Sequence, residues 1–153
     1  YGYDVHAFKI GEHIILGGVK IPYRLGLKAH SDGDVVIHAL VDALLGASAL
    51  GDIGHHFPDT DERWRNKDSR IFLQTTVQML NEKNWSINNA DITIIAEAPK
   101  LKDYFAAIRV NLAQDMKIDL NQINVKATTT EKLGFIGRHE GIAATAIALL
   151  QTR

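Results

Sequence analysis

The sequence contains no cysteine. Disulfides and thiolate chemistry are therefore excluded, and any metal must be held by imidazole and carboxylate groups. Nor is there an excess of positive charge: 17 Lys and Arg stand against 18 Asp and Glu, a net charge of -1. Without that excess the chain has nothing to neutralise a nucleic-acid backbone, and nucleic acid is not an expected partner. No apolar run approaches the ~18 residues of a membrane span, so no membrane partner is expected either. Proline occurs only 3 times, and no repeat, low-complexity tract or linker divides the chain. Neither a signal peptide nor an Arg-rich leader is visible, so a cytoplasmic location is expected. The chain starts at Tyr1, which already reads as mid-strand, so a few residues are expected before it.

What is present suits one globular domain spanning residues 1–153, with 46% hydrophobic and 23% charged residues. Tyr1 to Phe8 reads as a strand. His13 to Leu16 and Val19 to Ile21 flank Gly17-Gly18, a hairpin signal. Ser31-Asp32-Gly33-Asp34 opens a helical spacing of Val36, Leu40, Ala43, Leu44 and Ala47, with Ser31 or Asp32 as the cap. Gly51 to Asp61 reads as loop, Asp68 to Asn81 as helix, Asp91 to Ala96 as strand, Asp103 to Asp115 as helix and Asn124 to Thr129 as strand. Gly141 to Gln151 fits either a helix or a buried strand. Strands alternating with helices predict an α/β (α+β) domain, a mixed β-sheet with helices packed on one face.

No phosphate loop, GxGxxG, HExxH or CxxC motif occurs. The chemistry must come from smaller groupings. Alternation puts Asp4 and His6 on one face of the first strand. A metal can take one atom from each; a hydrogen-bonded polar strand face has the same spacing. Asp34, His38 and Asp42 are spaced by four and form one helical stripe, which also suits a solvated face. Asp4, His6 and His38 together would give Zn²⁺ three ligands and leave a fourth position open, the pattern of a catalytic site. Asp42 is placed to orient His38. The Thr128-Thr129-Thr130-Glu131 run has hydroxyls and N–H groups for phosphate oxygens, and Glu131 suits a hard Mg²⁺; a β-favouring Thr run explains it equally. Asp52 and Asp59 lie in a carboxylate-rich loop that could bind substrate hydroxyls or simply form turns.

Taken in order, DVHAF, GGVKIPY, GLKAHSDGDVVIHALVDALLGA, GDIGHHFPDTD, DITIIAEAPKL and VKATTTEKLGFIGRHEGI resemble the 2-C-methyl-D-erythritol 2,4-cyclodiphosphate synthase family over essentially the whole chain. The resemblance implies a phosphorus-oxygen lyase of the non-mevalonate route to isoprenoids. In that reaction the 2-phosphate of 4-diphosphocytidyl-2-C-methyl-D-erythritol 2-phosphate attacks the β-phosphorus, and CMP leaves as the cyclic diphosphate closes. It implies Zn²⁺ on Asp4, His6 and His38, and Mg²⁺ or Mn²⁺ on Glu131 between the α- and β-phosphates. His30 and Thr129 match transition-state stabilisers. Asp4, Val5, His6, His30, Ser31, Asp52, Ile53, Gly54, Phe57, Pro58, Asp59, Thr60 and Asp61 match the surroundings of the erythritol and its phosphates. Ala96, Glu97, Ala98, Pro99, Lys100, Leu101 and Lys102 match the segment that reads cytosine. Thr128, Thr129, Thr130 and Glu131 match the phosphate end. Phe135 and Arg138 match positions lining substrate or an axial cavity, where Arg138 would meet an anion or pair with Glu140. A homotrimer with active sites at subunit boundaries is implied. His55, His56 and His139 carry no assignment. A zinc-dependent phosphohydrolase and a non-catalytic, metal-stabilised trimeric binding module are the competing expectations.

Overall fold

The computed structural model describes residues 1–153. The first strand, β1 (Gly2–Ile10), alternates along most of its length: Gly2, Asp4, His6 and Phe8 are covered while Tyr3, Val5, Ala7 and Lys9 are exposed. The helix α1 (Val35–Ala47) lies on the covered side. Its approach depends on Gly2, where a Cβ would stand 1.9 Å from the Ala39 carbonyl oxygen. Any larger residue would push α1 off the strand, and His38 with it.

Strands β2 (His13–Leu16) and β3 (Val19–Pro22) form a separate hairpin. Gly17 and Gly18 turn it with φ of 56° and 70°, a left-handed pair that glycine adopts without strain. The five-stranded sheet runs β4 (Leu25–Leu27), β1, β7 (Gly141–Thr152), β5 (Trp85–Ile95), β6 (Ile123–Thr128). All pairings are antiparallel except β5 with β6. That parallel pair needs a crossover, and α4 (Phe105–Met116) supplies it. Helices α1, α3 (Arg70–Glu82) and α4 cover one face of the sheet. Arg70 on α3 grips the buried Asp115 of α4 through two nitrogens at 2.6 and 2.9 Å, tying the helices together. The expected mixed sheet with helices on one face is therefore the fold. No helix is long and apolar enough to cross a membrane.

Several local expectations are corrected. Neither Ser31 nor Asp32 caps α1; Asp34 does, accepting from the Ile37 N–H. The loop Gly51 to Asp61 contains a helical turn, α2 (Ile53–His56), capped by Asp52. Strand β5 starts at Trp85 rather than Asp91, because the polar Asn88-Asn89 pair at a bulge hides its pattern. Gly141–Thr152 is a strand despite its alanines. It pairs on both edges, and small side chains let α1 pack closely over the centre of the sheet.

Candidate metal centre and its cavity

Three donor atoms converge where β1 meets α1. Asp4 Oδ2 lies 3.1 Å from His6 Nε2 and 3.0 Å from His38 Nδ1, and the two ring nitrogens are 3.3 Å apart. Two come from one strand face and one from the first turns of the helix pressed on it. Nitrogen and oxygen donors at ~2.0–2.1 Å from a tetrahedral Zn²⁺ stand ~3.3 Å from one another, so the set fits that ion. His6 is fixed from behind, its Nδ1–H donating to the Lys28 carbonyl at 2.9 Å. His38 Nε2 faces Ser69 Oγ at 2.9 Å.

Charge in the cluster is tightly shared. Burial alone would raise the Asp4 carboxyl, but the ring donors of His38 and His6 and their charge hold it at about 2. Burial alone would lower His6; the hydrogen bond and charge of Asp4 overcome it and raise the imidazole. The cluster therefore pairs an ionised Asp4 with a His6 that holds its proton more firmly, in the place a cation would take.

Asp42, expected to orient His38, does something else. Its Oδ1 accepts from the Ile53 N–H at 2.7 Å and so anchors α2 to α1. Ser69 makes the contact with His38 instead. The stripe Asp34–His38–Asp42 is likewise broken up. Asp34 is fully buried, and its carboxylate accepts from the Gly17, Gly18 and Ile37 N–H groups at 2.9, 2.7 and 3.1 Å. Burial, aided by the Asp32 charge, pushes its carboxyl up to about 6 against the pull of those three donors.

The cluster lines a cavity of about 660 Å³. Of the residues expected around the erythritol, His30, Ser31, Ile53, Gly54, Phe57, Pro58, Asp59, Thr60 and Asp61 line it together with Asp4, His6 and His38. Asp52 does not; its carboxylate is used at the α2 N-terminus, accepting from the His55 N–H at 2.8 Å. The Val5 side chain does not line the cavity either, because alternation sends it to the opposite face of the sheet, where it is exposed. Lys28, Ala29, Trp64, Arg65 and Phe72 line the cavity without having been expected. Phe57 stacks on Phe72 at 4.9 Å and meets Trp64 edge-on at 5.1 Å, giving the cavity an aromatic wall. His56 turns away to the Leu50 carbonyl at 2.7 Å.

The other expected residues gather elsewhere. Asp4, Ala144, Ile94 and Ala127 form one row across β1, β7, β5 and β6. Three strand spacings put the end of β6 about 14 Å from the metal cluster. There Glu97 Oε1 accepts from the Thr130 and Lys132 N–H groups at 2.9 and 3.2 Å, clamping the loop after Thr128. These bonds, the Thr130 one foremost, hold the Glu97 carboxyl below its usual range. Thr129 Oγ1 donates to Glu131 Oε1 at 3.1 Å. Leu101 is buried in the core, so its side chain serves packing. Arg138 pairs with Glu140 at 2.9 Å, one of the two outcomes expected for it. None of Ala96–Lys102, Thr128–Glu131, Phe135 or Arg138 lines the metal cavity.

A mixed sheet with three donors that could hold a metal ion where β1 meets α1, and a threonine- and carboxylate-rich loop at the far end, defines an α+β protein with two separate polar groups. The chain belongs to the YgbB family, whose model matches residues 1–151. It is 59% identical over 152 residues to the 2-C-methyl-D-erythritol 2,4-cyclodiphosphate synthase of Thioalkalivibrio sulfidiphilus, covering 99% of this chain and 95% of that protein. The synthase of Azotobacter vinelandii is 58% identical over 150 residues, 98% and 96% of the two chains. Among solved structures, the Plasmodium falciparum IspF–CDP complex superposes with a TM-score of 0.87 at 39% identity, covering 99% of this chain and 94% of that one. The bifunctional IspDF of Campylobacter jejuni matches with a TM-score of 0.95 at 47% identity; 99% of this chain corresponds to 41% of that longer one.

Proposed function

We propose that this chain converts 4-diphosphocytidyl-2-C-methyl-D-erythritol 2-phosphate to 2-C-methyl-D-erythritol 2,4-cyclodiphosphate and CMP. The observation that carries the reading is the convergence of Asp4, His6 and His38 on one point of a cavity, in a chain so similar to named synthases. The CDP held by the Plasmodium falciparum relative supports a cytidine diphosphate group on the substrate.

The nucleophile is the substrate's own 2-phosphate oxygen. It forms a bond to the β-phosphorus as the bond from that phosphorus to the CMP oxygen breaks, and CMP takes the electron pair. The protein therefore needs no nucleophile; its work is positioning and charge compensation. Asp4, His6 and His38 would hold Zn²⁺, and Glu131 would hold Mg²⁺ or Mn²⁺. Such ions neutralise phosphate charge and favour departure of a phosphate leaving group. His30 and Ser31 bind the phosphate end within the cavity, with Asp59 and the aromatic wall beside the erythritol. Thr129, with Glu131 beside it, holds the diphosphate. Glu97 keeps the Thr130–Lys132 backbone in place, and the backbone of Ala96–Lys102 reads the cytosine.

One chain holds these two groups about 14 Å apart, so the reading includes a homotrimer that brings the second group of one subunit to the cavity of the next. The bare sheet face supports this: Tyr3, Val5, Ile147 and Leu149 are exposed there, an apolar surface suited to contact between copies. A cytoplasmic location completes the reading. Incubation with the cytidine diphosphate substrate, followed by ³¹P NMR, tests it. Cyclic diphosphate with CMP is the expected result. Free phosphate would mark a phosphohydrolase, and unchanged substrate a binding module.

A further inference from the structure

The two imidazoles of the metal cluster are supported differently. His6 rests on a backbone carbonyl, a group that can only accept. His38 rests on a hydroxyl, which can donate or accept, so its tautomer depends on what that hydroxyl does. Ser69 is fully buried, and Asp32 takes both its donors. Ser69 N–H donates to Asp32 Oδ2 at 2.9 Å, and Ser69 Oγ–H donates to Asp32 Oδ1 at 2.5 Å. A hydroxyl has one proton. With that proton on Asp32, Ser69 Oγ offers His38 only a lone pair. His38 Nε2 must carry a ring hydrogen, so Nδ1, which faces Asp4 Oδ2 at 3.0 Å, is the nitrogen left to give its lone pair to a cation at the point where Asp4 and His6 converge.

Two further details show that this contact is built. Ser69 stands at the N-cap of α3, where a serine hydroxyl ordinarily accepts from the first turn. Here the hydroxyl makes no such bond and is turned toward Asp32 and His38 instead. Asp32 in turn accepts from the Asp34 N–H at 3.1 Å, which fixes the carboxylate to the entry of α1. Ser31 Oγ stands further off, 3.3 Å from His38 Nε2, and is also 3.3 Å from the Gly33 N–H.

We propose that Asp32 and Ser69 act as a positioning pair that locks His38 in its Nε2–H tautomer and so raises the metal affinity of Asp4, His6 and His38. The inference rests on the metal reading of those three residues. It is tested by zinc affinity, measured by chelator competition on the assembled protein, for wild type, Ser69→Ala, Asp32→Asn and a control, Ser48→Ala. Ser48 donates to carbonyls at the end of α1, away from the cluster. Losing a partner behind a ligating histidine typically costs 10–100-fold in affinity, so about that loss is expected for Ser69→Ala, a loss of the same sign for Asp32→Asn, and a change under about two-fold for Ser48→Ala. A signature that general loosening would not reproduce comes from ¹⁵N-histidine NMR of the zinc-loaded protein. An exchange-protected His38 Nε2–H signal should be present in wild type and lost in Ser69→Ala. Unchanged affinity and an unchanged signal in Ser69→Ala would overturn the proposal. If Ser69→Ala does not fold, Asp32→Asn decides, and wild-type affinity in that variant overturns the proposal. If wild type holds no zinc at all, the metal reading fails separately. The tautomer is then scored in the zinc-free protein, where identical ring spectra for wild type and Ser69→Ala would sink it.

Discussion

Replacing Asp34 with alanine should loosen both the β2–β3 turn and the start of α1, although Asp34 touches neither cavity nor metal atoms. Its carboxylate serves the Gly17, Gly18 and Ile37 N–H groups, and the first and last of these bonds are buried. A buried donor left unpaired costs about 1–3 kcal/mol, so the two buried ones alone give about 2–6 kcal/mol. That is a large share of the roughly 5–15 kcal/mol that holds a domain folded. Asp34→Asn should be milder. An amide oxygen at the Oδ1 position keeps Gly17 and Ile37 satisfied, and only Gly18 then faces an amide N–H₂. The pH dependence has a definite sign. The folded carboxyl, at about 6, is above its unfolded value near 3.8, so the native state takes up this proton first. Its contribution to stability is greatest below about pH 4 and is lost as pH rises through about 6. Asp34→Asn should lack that trend. Amide hydrogen exchange at Gly17, Gly18 and Ile37, with urea unfolding at one protein concentration, reads both effects. A loss below about 1 kcal/mol in Asp34→Ala, with those amides still protected, would refute the reasoning.

Three other outcomes are expected. His38→Ala should lose zinc and activity but keep its secondary structure, since all three donors sit on elements whose cores do not involve them; far-ultraviolet circular dichroism and metal analysis check this. Glu131→Gln should keep its zinc while kcat falls by orders of magnitude, because a clamp on developing phosphate charge supplies several kcal/mol; zinc loss in this variant would contradict the role given to Glu131. Zinc affinity should weaken as pH falls from about 8 to 6, because Asp4 raises His6 and the ion must displace its proton; a flat profile by chelator competition would show that the ion binds elsewhere.

Only part of the three-donor cluster was legible from local rules. Strand alternation put Asp4 and His6 on one face, whereas His38, 34 positions from Asp4, joined them as a matching donor type and through the family resemblance. The same rules mislead where a partner comes from far along the chain. An i, i+4 stripe made Asp42 the natural neighbour of His38, yet the Ile53 N–H at the start of α2 claims its carboxylate. Ser69 is 31 positions from His38 and 37 from Asp32, and its contacts arise only when α3 packs beside α1. In the sequence it lies inside the helix read from Asp68 to Asn81, with nothing local to mark a contact with His38; the structure puts it at the N-cap without a capping bond. Val5, which the resemblance named, has its side chain on the opposite face of β1 from Asp4 and His6. The turn at α2 and the early start of β5 were hidden by histidines and asparagines that carry little periodic signal.

The central claim is that two groups held apart on one chain complete a single reaction site between copies. His38→Ala damages the metal half and Glu131→Ala the other half, so each variant alone should be nearly inactive. Unfolding the two together in equal amounts and refolding lets subunits mix at random around a cyclic trimer. A site is whole when its metal half comes from the Glu131 variant and its other half from the His38 variant, an expected share of about a quarter of all sites. Production of cyclic diphosphate, read by ³¹P NMR, should recover to about that fraction of wild type. No recovery, with mixed trimers confirmed by native mass spectrometry, would contradict the account.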